Sequence, residues 1–197
     1  VQLPGVKDIE RAKALIGKTA KLEFKIVHDE LASFPGGSVP PQLIKLMEES
    51  KAAGIVYKRG QRFSTYVSEM NKFYKELPKG HTLVFEKVLN PATNEVEVLL
   101  PYVVEAATKL TGEELQDATV RINPEDNQPY VGLTFKSQGA KLFEQITGDN
   151  VNRRLAVILD GNVYSAPNIQ QRIGGGNAQI TLGQGDYNKS VSYTHLT

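Results

Sequence analysis

Apolar and polar positions recur with two different periods along the chain, and these periods predict its helices and strands. Thr19 to Val27 alternates with a period of two, as a half-buried strand does. Before it, apolar residues between Asp8 and Ile16 fall on one helical face, with Asp8 placed as the N-cap and Gly17 as the C-terminal stop. The first 27 residues therefore predict the end of a strand, a short helix and a second strand.

The same order of elements returns near the other end of the chain. Val131 to Phe135 predicts a strand, Ser137 can cap a helix that ends at Gly148, and the apolar run Leu155 to Leu159 predicts the next strand. This run does not alternate, so both of its faces should be covered. Asp160-Gly161 then indicates a tight hairpin turn, because glycine adopts a positive φ without steric cost. Two such units predict an α+β fold with a ferredoxin-like base, a split β-α-β arrangement that carries an insertion.

The segment between Asp29 and Asp117 differs in composition and predicts a small inserted α+β subdomain. Two helical stripes precede two strands that a hairpin loop joins. The stripes run from Leu43 to Gly54 and from Tyr66 to Leu77, and the strands from Thr82 to Val88 and from Glu95 to Val104. Thr111 with Glu114 resembles a capping box for a short helix where the chain returns to the base.

These elements divide the chain into a base and a head. We assign 1–28 and 118–190 to the base, 29–117 to the inserted head and 191–197 to a tail without periodicity. Our hypothesis is that the joins act as a hinge, since two strands leave and re-enter the base there and chain breakers lie beside one of them. The residues placed at the joins are His28, Pro35, Gly36, Gly37, Thr111 and Gly112.

Composition and charge exclude several classes of partner. A hydrophobic fraction of 40% and a charged fraction of 23% are typical of a globular protein. With 23 basic and 22 acidic side chains, the net charge of +1 favours neither nucleic acid nor an anionic membrane surface. No apolar run approaches the roughly 18 residues of a membrane-spanning helix. Cysteine is absent, which removes disulfides and thiolate chemistry and suits an oxidising compartment without requiring one.

Few residues support catalysis or cofactor binding. The three histidines, His28, His81 and His195, lack metal-ligand spacing, and we interpret each as solvated or capping. Gly174-Gly175-Gly176 lacks the Lys-Ser/Thr of a phosphate loop and favours a turn before a strand, while Arg153-Arg154 is typical of surface charge. We therefore expect no catalytic residue, no metal and no cofactor.

An aromatic stripe in the insert is the remaining candidate site. Tyr66, Met70, Phe73 and Tyr74 share one face of a predicted helix. The more ordinary interpretation is a core face, and the functional one is an apolar groove for an extended or unfolded polypeptide, to which methionine and aromatic side chains adapt. A core stripe would be fully buried, whereas a groove would stay partly open.

Short motifs in two blocks of the chain match one known family in the same order. The first block holds Leu3-Pro4-Gly5-Val6-Lys7-Asp8 and Leu15-Ile16-Gly17-Lys18-Thr19, and the second holds Arg154-Leu155-Ala156, Leu159-Asp160-Gly161 and Ser165-Ala166-Pro167. In these motifs the chain resembles the first large extracytoplasmic domain of SecD, a subunit of the bacterial Sec protein translocase. The head carries little of the resemblance.

This resemblance implies a location and partners. SecD-like proteins are multi-pass proteins of the cytoplasmic membrane whose large domain lies on the periplasmic side. They act with SecF beside the protein-conducting channel and use proton flow to help draw unfolded secretory preproteins outward. The resemblance further implies that the head holds emerging preprotein and swings relative to the base, and that the spans and proton-carrying residues lie outside this chain.

The preferred interpretation is therefore a non-enzymatic domain of a translocase subunit. The alternative is a small hydrolase or ligand-binding enzyme on a ferredoxin-like scaffold, because a fold alone does not settle function. A deep pocket with converging titratable groups would favour that alternative. A third possibility is a structural docking module for neighbouring membrane subunits, without affinity for unfolded chains.

Overall fold

A computed structural model of the chain describes residues 21–33, 39–90, 92–93, 95–108, 110–124 and 129–181. These residues form a mixed α/β structure. Its strands are β1 (Leu22–Ala32), β2 (His81–Leu89), β3 (Val96–Glu105), β4 (Leu110–Thr111), β5 (Leu115–Ile122), β6 (Pro129–Phe135), β7 (Leu155–Leu159), β8 (Asn162–Ser165) and β9 (Asn177–Thr181). Its helices are α1 (Pro41–Ala52), α2 (Phe63–Phe73) and α3 (Ser137–Asp149), with a 3-10 turn at Gly112–Glu114. The helix predicted between Asp8 and Ile16, the breakers Pro35, Gly36 and Gly37, and His195 lie outside the described residues.

The strands form two sheets, and the larger one closes on itself. Its order is β3-β2-β8-β7-β1-β4, and a further pairing between β1 and β3 joins the first five strands of this order into a ring. That closing contact pairs Val27 with Val104 and Ala32 with Tyr102. The smaller sheet is antiparallel, with the order β5-β6-β9. The larger sheet is therefore a small barrel, and β4 pairs with the first part of β1 along the same edge that β3 uses further on.

Three apolar clusters hold these layers together. Val27, Ala32, Val84, Tyr102, Val104, Ala156, Ile158 and Val163 fill the barrel interior. The outward faces of β1 and β7 pack with the smaller sheet and α3 around Phe24, Phe135 and Phe143. The outward faces of β2 and β3 pack with α1 and α2 around Tyr66 and Phe85. All five residues of β7 are buried because one face meets the barrel interior and the other meets the smaller sheet.

Most of the local predictions are confirmed. Asp160 and Gly161 have φ angles of 50° and 82°, which is the left-handed pair that a tight hairpin between β7 and β8 requires. The α1 helix stops just before Gly54, at φ 80°, and the Thr111 hydroxyl accepts the Glu113 N–H at 3.3 Å. The glycine run leads into β9 as predicted, with Gly175 and Gly176 at positive φ.

Two predictions around α3 need correction. Ser137 is the first residue of the helix and makes no capping hydrogen bond; the N-cap position is Lys136. More importantly, β6 and β7 lie in different sheets, so that the predicted unit of strand, helix and strand connects two layers instead of building one sheet. Tertiary pairing decides which sheet a strand joins, and periodicity carries no such information.

Residues assigned to the head and to the base share the larger sheet. The hairpin of β2 and β3 belongs to the predicted head, yet β3 pairs with β1, and Phe85 of β2 pairs with Asn162 of β8. The α2 helix also touches the base, because a Cβ atom at Gly161 would lie 3.2 Å from Cγ2 of Val67. The division into head and base stays a prediction, and the described parts of both are hydrogen-bonded to each other.

Candidate functional site

An apolar groove lies on the outer side of the barrel, between α1 and the first half of β3. Its volume is about 470 Å³. Three of the five exposed large apolar side chains in the described part of the chain line it, namely Ile44, Val56 and Val98, at 46%, 41% and 45% exposure. Isolated exposed apolar residues are ordinary, but several around one concavity indicate a binding surface.

Three elements build the walls of this groove. The α1 helix contributes Ile44, Met47 and Lys51, and the segment after Gly54 contributes Ile55, Val56 and Tyr57. The third wall is β3, from Val96 to Leu99 and at Pro101. The amphipathic pattern of α1 explains this arrangement, since Leu43 and Leu46 are buried against β2 and β3 while Ile44 points away from them.

The floor of the groove is apolar and hydrogen-bonded to the barrel. Tyr66 of α2 lines it, is 1% exposed, and lies with its ring centroid 5.2 Å from that of Phe85. Burial raises the pKa of Tyr66 to about 12, so its phenol is neutral at all physiological pH values. Asn71 fixes α2 to the barrel, because its amide group exchanges two hydrogen bonds of 2.8 Å with the backbone of Leu83.

Charged side chains are confined to the rim. Glu48, Glu97 and Lys51 are the ionisable acid and amine groups in the lining, and all three are exposed. Within the described residues neither Glu48 nor Glu97 has an ion-pair partner, in contrast to the neighbouring Glu95, which binds Arg59 at 2.8 Å. The groove therefore combines apolar walls with a weakly acidic rim.

Comparison with known proteins identifies the family. The family model described as "SecDF, P1 head subdomain" matches residues 86–190, and the model "Protein translocase subunit SecDF, P1 domain, N-terminal" matches residues 1–29. The chain belongs to the SecD family. Protein translocase subunit SecD of Calditerrivibrio nitroreducens is 38% identical over 92% of this chain, and SecDF of Thermus thermophilus is 34% identical over 91%.

These SecD relatives are much longer than the chain. The matched region spans 28% of the first relative and 19% of the second. One solved structure, described as "Structure and function of a membrane component SecDF that enhances protein export", is 30% identical with a TM-score of 0.46; the match covers 94% of this chain and 66% of that one. None of the helices in the described part of the SecD-family chain has the length and hydropathy that crossing a membrane needs.

The four residues of the aromatic stripe differ in burial and in whether they line the groove. Tyr66 and Met70 are buried in the cluster with α1 and α2, as the core interpretation expects. Phe73 and Tyr74 are half-buried against the same cluster, and of the four only Tyr66 lines the groove. Sequence reasoning missed Ile44, Val56 and Val98, although unpaired apolar residues on otherwise polar faces are a signal that could have found them.

The described hinge residues all lie in or beside regular structure. His28 is within β1, and its ring packs edge-to-face on that of His81 with centroids 5.2 Å apart. Nδ1 of His81 also lies 3.1 Å from the Lys79 carbonyl oxygen, in an exposed position. Nδ1 of His28 is buried and has no hydrogen-bond partner among the described residues. Thr111 pairs with Glu23 at the barrel edge, and Gly112 follows it in the 3-10 turn. Their hinge role stays a prediction.

Arg154 is a second correction. We predicted surface charge, but Arg154 is 4% exposed. Its Nε donates to Oδ1 of Asp29 at 2.6 Å, and one terminal nitrogen donates to the Ser33 carbonyl at 2.9 Å. Ser33 in turn donates to the Pro101 carbonyl through its N–H and its hydroxyl. Arg154 therefore fastens the end of β1 to the barrel at the point where the groove begins.

Proposed function

We propose that this chain is the extracytoplasmic domain of a SecD-type translocase subunit and that its groove holds unfolded secretory preprotein as it emerges on the periplasmic side. The apolar groove carries this proposal, because an unfolded chain offers apolar segments that a folded protein buries. The relatives are named as protein translocase subunits, which supports a role for the groove in protein export. SecF and the protein-conducting channel are the proposed partners in the whole protein.

We further propose that the base is ferredoxin-like and that the proton-motive force drives a movement of the head relative to it. A swing of the hairpin of β2 and β3 away from the rest would require two sets of strand pairs to open. These are the contacts of β1 with β3 and of Phe85 with Asn162. The closing contact of β1 with β3 has few registered pairs and a register shift, whereas β2 and β3 pair along their whole length. The hairpin would therefore move as one unit.

Site-specific photocrosslinking during active export tests the binding site. A photoreactive residue at Val56 or Val98 should crosslink to a translocating preprotein. Ile122 and Val151 are matched controls, since they are exposed apolar residues outside the groove, at 47% and 39% exposure. Crosslinks that are as strong from Ile122 as from Val98 would contradict the groove as the binding site.

A second test separates this function from a docking module. Ile44→Ser and Val98→Ser should each weaken binding of an unfolded secretory polypeptide to the isolated chain, while Ile122→Ser should not. A chain without affinity for unfolded polypeptide, in which all variants behave alike, would support the docking-module interpretation instead.

A further inference from the structure

The groove runs along the edge of β3, not over one of its faces. Val96, Glu97, Val98, Leu99 and Pro101 all line it. Successive side chains of a strand point to opposite faces, so that one cavity can touch them all only where it follows the strand edge. A ligand in the groove therefore lies beside the backbone of β3.

At this edge the backbone of Leu99 has an N–H and a C=O that no described residue bonds. The carbonyl of Pro101 points away from β2 and accepts the Ser33 N–H at 3.0 Å. Alternate residues of a strand direct their N–H and C=O groups to the same side, so both groups of Leu99 point outward as well. No described residue hydrogen-bonds to Leu99 on that side.

The other edge of the hairpin, formed by β2, has hydrogen-bond partners. Three residues of β2 that face away from β3 all have partners. The backbone of Leu83 is bonded by the Asn71 side chain, the Phe85 N–H donates to the Gly161 carbonyl at 3.5 Å, and the Lys87 N–H donates to Oδ1 of Asn162 at 3.1 Å. An open strand edge can pair with another strand, and among the described residues the open edge of this hairpin is that of β3.

We infer that the groove binds its polypeptide by strand addition to β3, taking an extended, proline-free apolar segment that carries a lysine or arginine near Glu48 and Glu97. This inference rests on the proposed function and adds a binding mode and a substrate class to it. Main-chain hydrogen bonds to Leu99 would supply affinity that does not depend on sequence, and the apolar walls would accept alternate side chains. On the rim the carboxylates of Glu48 and Glu97 outnumber the single ammonium of Lys51, and this net negative charge favours the basic residue by charge complementarity.

The test uses a fluorescent octapeptide, acetyl-Lys-Thr-Val-Phe-Val-Thr-Val-Lys-amide, and the whole chain. Two analogues carry N-methyl groups on every second residue. In one analogue the odd-numbered residues are methylated and in the other the even-numbered residues, so each blocks the N–H groups of one edge of the bound peptide. Strand addition predicts that one analogue loses at least about tenfold in affinity, the order of one lost hydrogen bond in a dry site, while the other stays within about threefold. Equal affinities of the two analogues would overturn the inference.

Amide hydrogen exchange provides a readout on the protein. Saturating peptide should slow exchange of the Leu99 amide at least about tenfold, because a bonded amide exchanges only after the bond opens. The Leu100 amide, which faces β2, is the control and should be unchanged. Unchanged exchange at Leu99 with peptide bound would overturn strand addition.

Charge variants test the proposed substrate class. Glu97→Gln and Glu48→Gln should weaken binding of the lysine-bearing peptide, and replacing both lysines by norleucine should remove that difference. A Glu97→Gln variant that binds both peptides as the wild type does would overturn the charge selection.

The two levels of the proposal fail in different ways. Affinity that is the same for wild type and Ile44→Ser would refute the groove and with it the proposed function. Affinity that falls in Ile44→Ser, with equal binding of the two N-methyl analogues, would refute strand addition alone.

Discussion

The two halves of β3 differ in what surrounds them. From Pro101 to Glu105 the strand has β2 on one side and β1 on the other, and Tyr102, Val103 and Val104 are fully buried. From Val96 to Leu100 it has β2 alone among the described residues, and Val98 is 45% exposed. One strand thus serves as barrel wall in its second half and as an open edge in its first. The difference indicates that the closed half maintains the fold, and we propose that the open half is the part available for binding.

The largest expected effect tests the closed half. Tyr102→Ala removes a ring that fills the barrel interior and donates a hydrogen bond from its hydroxyl to Oε2 of Glu86 at 2.8 Å. The cavity left behind should lower the free energy of unfolding by about 3–5 kcal/mol, measured by urea denaturation. Tyr102→Phe is the control; it keeps the ring and should cost about 1 kcal/mol. A loss for Tyr102→Ala no greater than that of the control would show that the ring does not close a packed barrel.

A pair of valines in the same strand sharpens the comparison. Val103 is fully buried against α1 and α2, and Val103→Ala should lower the free energy of unfolding by about 2 kcal/mol, since about 0.8 kcal/mol is lost for each buried methylene and a cavity term is added. Val98→Ala should change it by less than about 0.5 kcal/mol because the side chain is half exposed. Equal losses would mean that the first half of β3 is also a packed part of the fold.

Sequence reasoning succeeded where a signal is local. The Asp160-Gly161 turn, the end of α1 before Gly54 and the limits of β2 depend on residues a few positions apart, and the chain shows them directly. It could not find the closure of the barrel, because Val27 and Val104 belong to strands that the predicted division placed in separate parts of the molecule.

Arg154 and the groove show the same limit. The partner of Arg154 is 125 residues away, and nothing near Arg154 in the sequence distinguishes a buried arginine from an exposed one. For the candidate site, Tyr66 was predicted from its stripe, but the groove itself depends on where α1 meets the edge of β3. The exposure of the side chains that line the groove depends on tertiary packing, and no periodic pattern in the sequence reports it.

The smallest expected effect concerns the anchor that fastens the chain after β3 to β1. The hydroxyl of Thr108 donates to Oε1 of Glu23 at 2.9 Å, and Nζ of Lys25 lies 3.6 Å from the same oxygen while it donates to the Ala106 carbonyl at 2.9 Å. Partial burial alone raises the pKa of Glu23, but the Thr108 hydrogen bond and the ammonium groups of Lys25 and Lys21 outweigh it, so the pKa lies below its ordinary 4.5.

This direction sets the sign of the pH dependence. A carboxylate whose folded-state pKa is below its unfolded value stabilises the fold at every pH above the unfolded value, and the contribution is lost as the pH falls through the folded value. The wild type should therefore lose more stability than Glu23→Gln when the pH is lowered from 6 to below the ordinary value of 4.5, as measured by urea denaturation at each pH. Glu97→Gln, on the open half, is the control and should follow the wild-type curve. A smaller loss of unfolding free energy at low pH in Glu97→Gln than in the wild type, with no such change in Glu23→Gln, would contradict the assignment of the ionic anchor to Glu23.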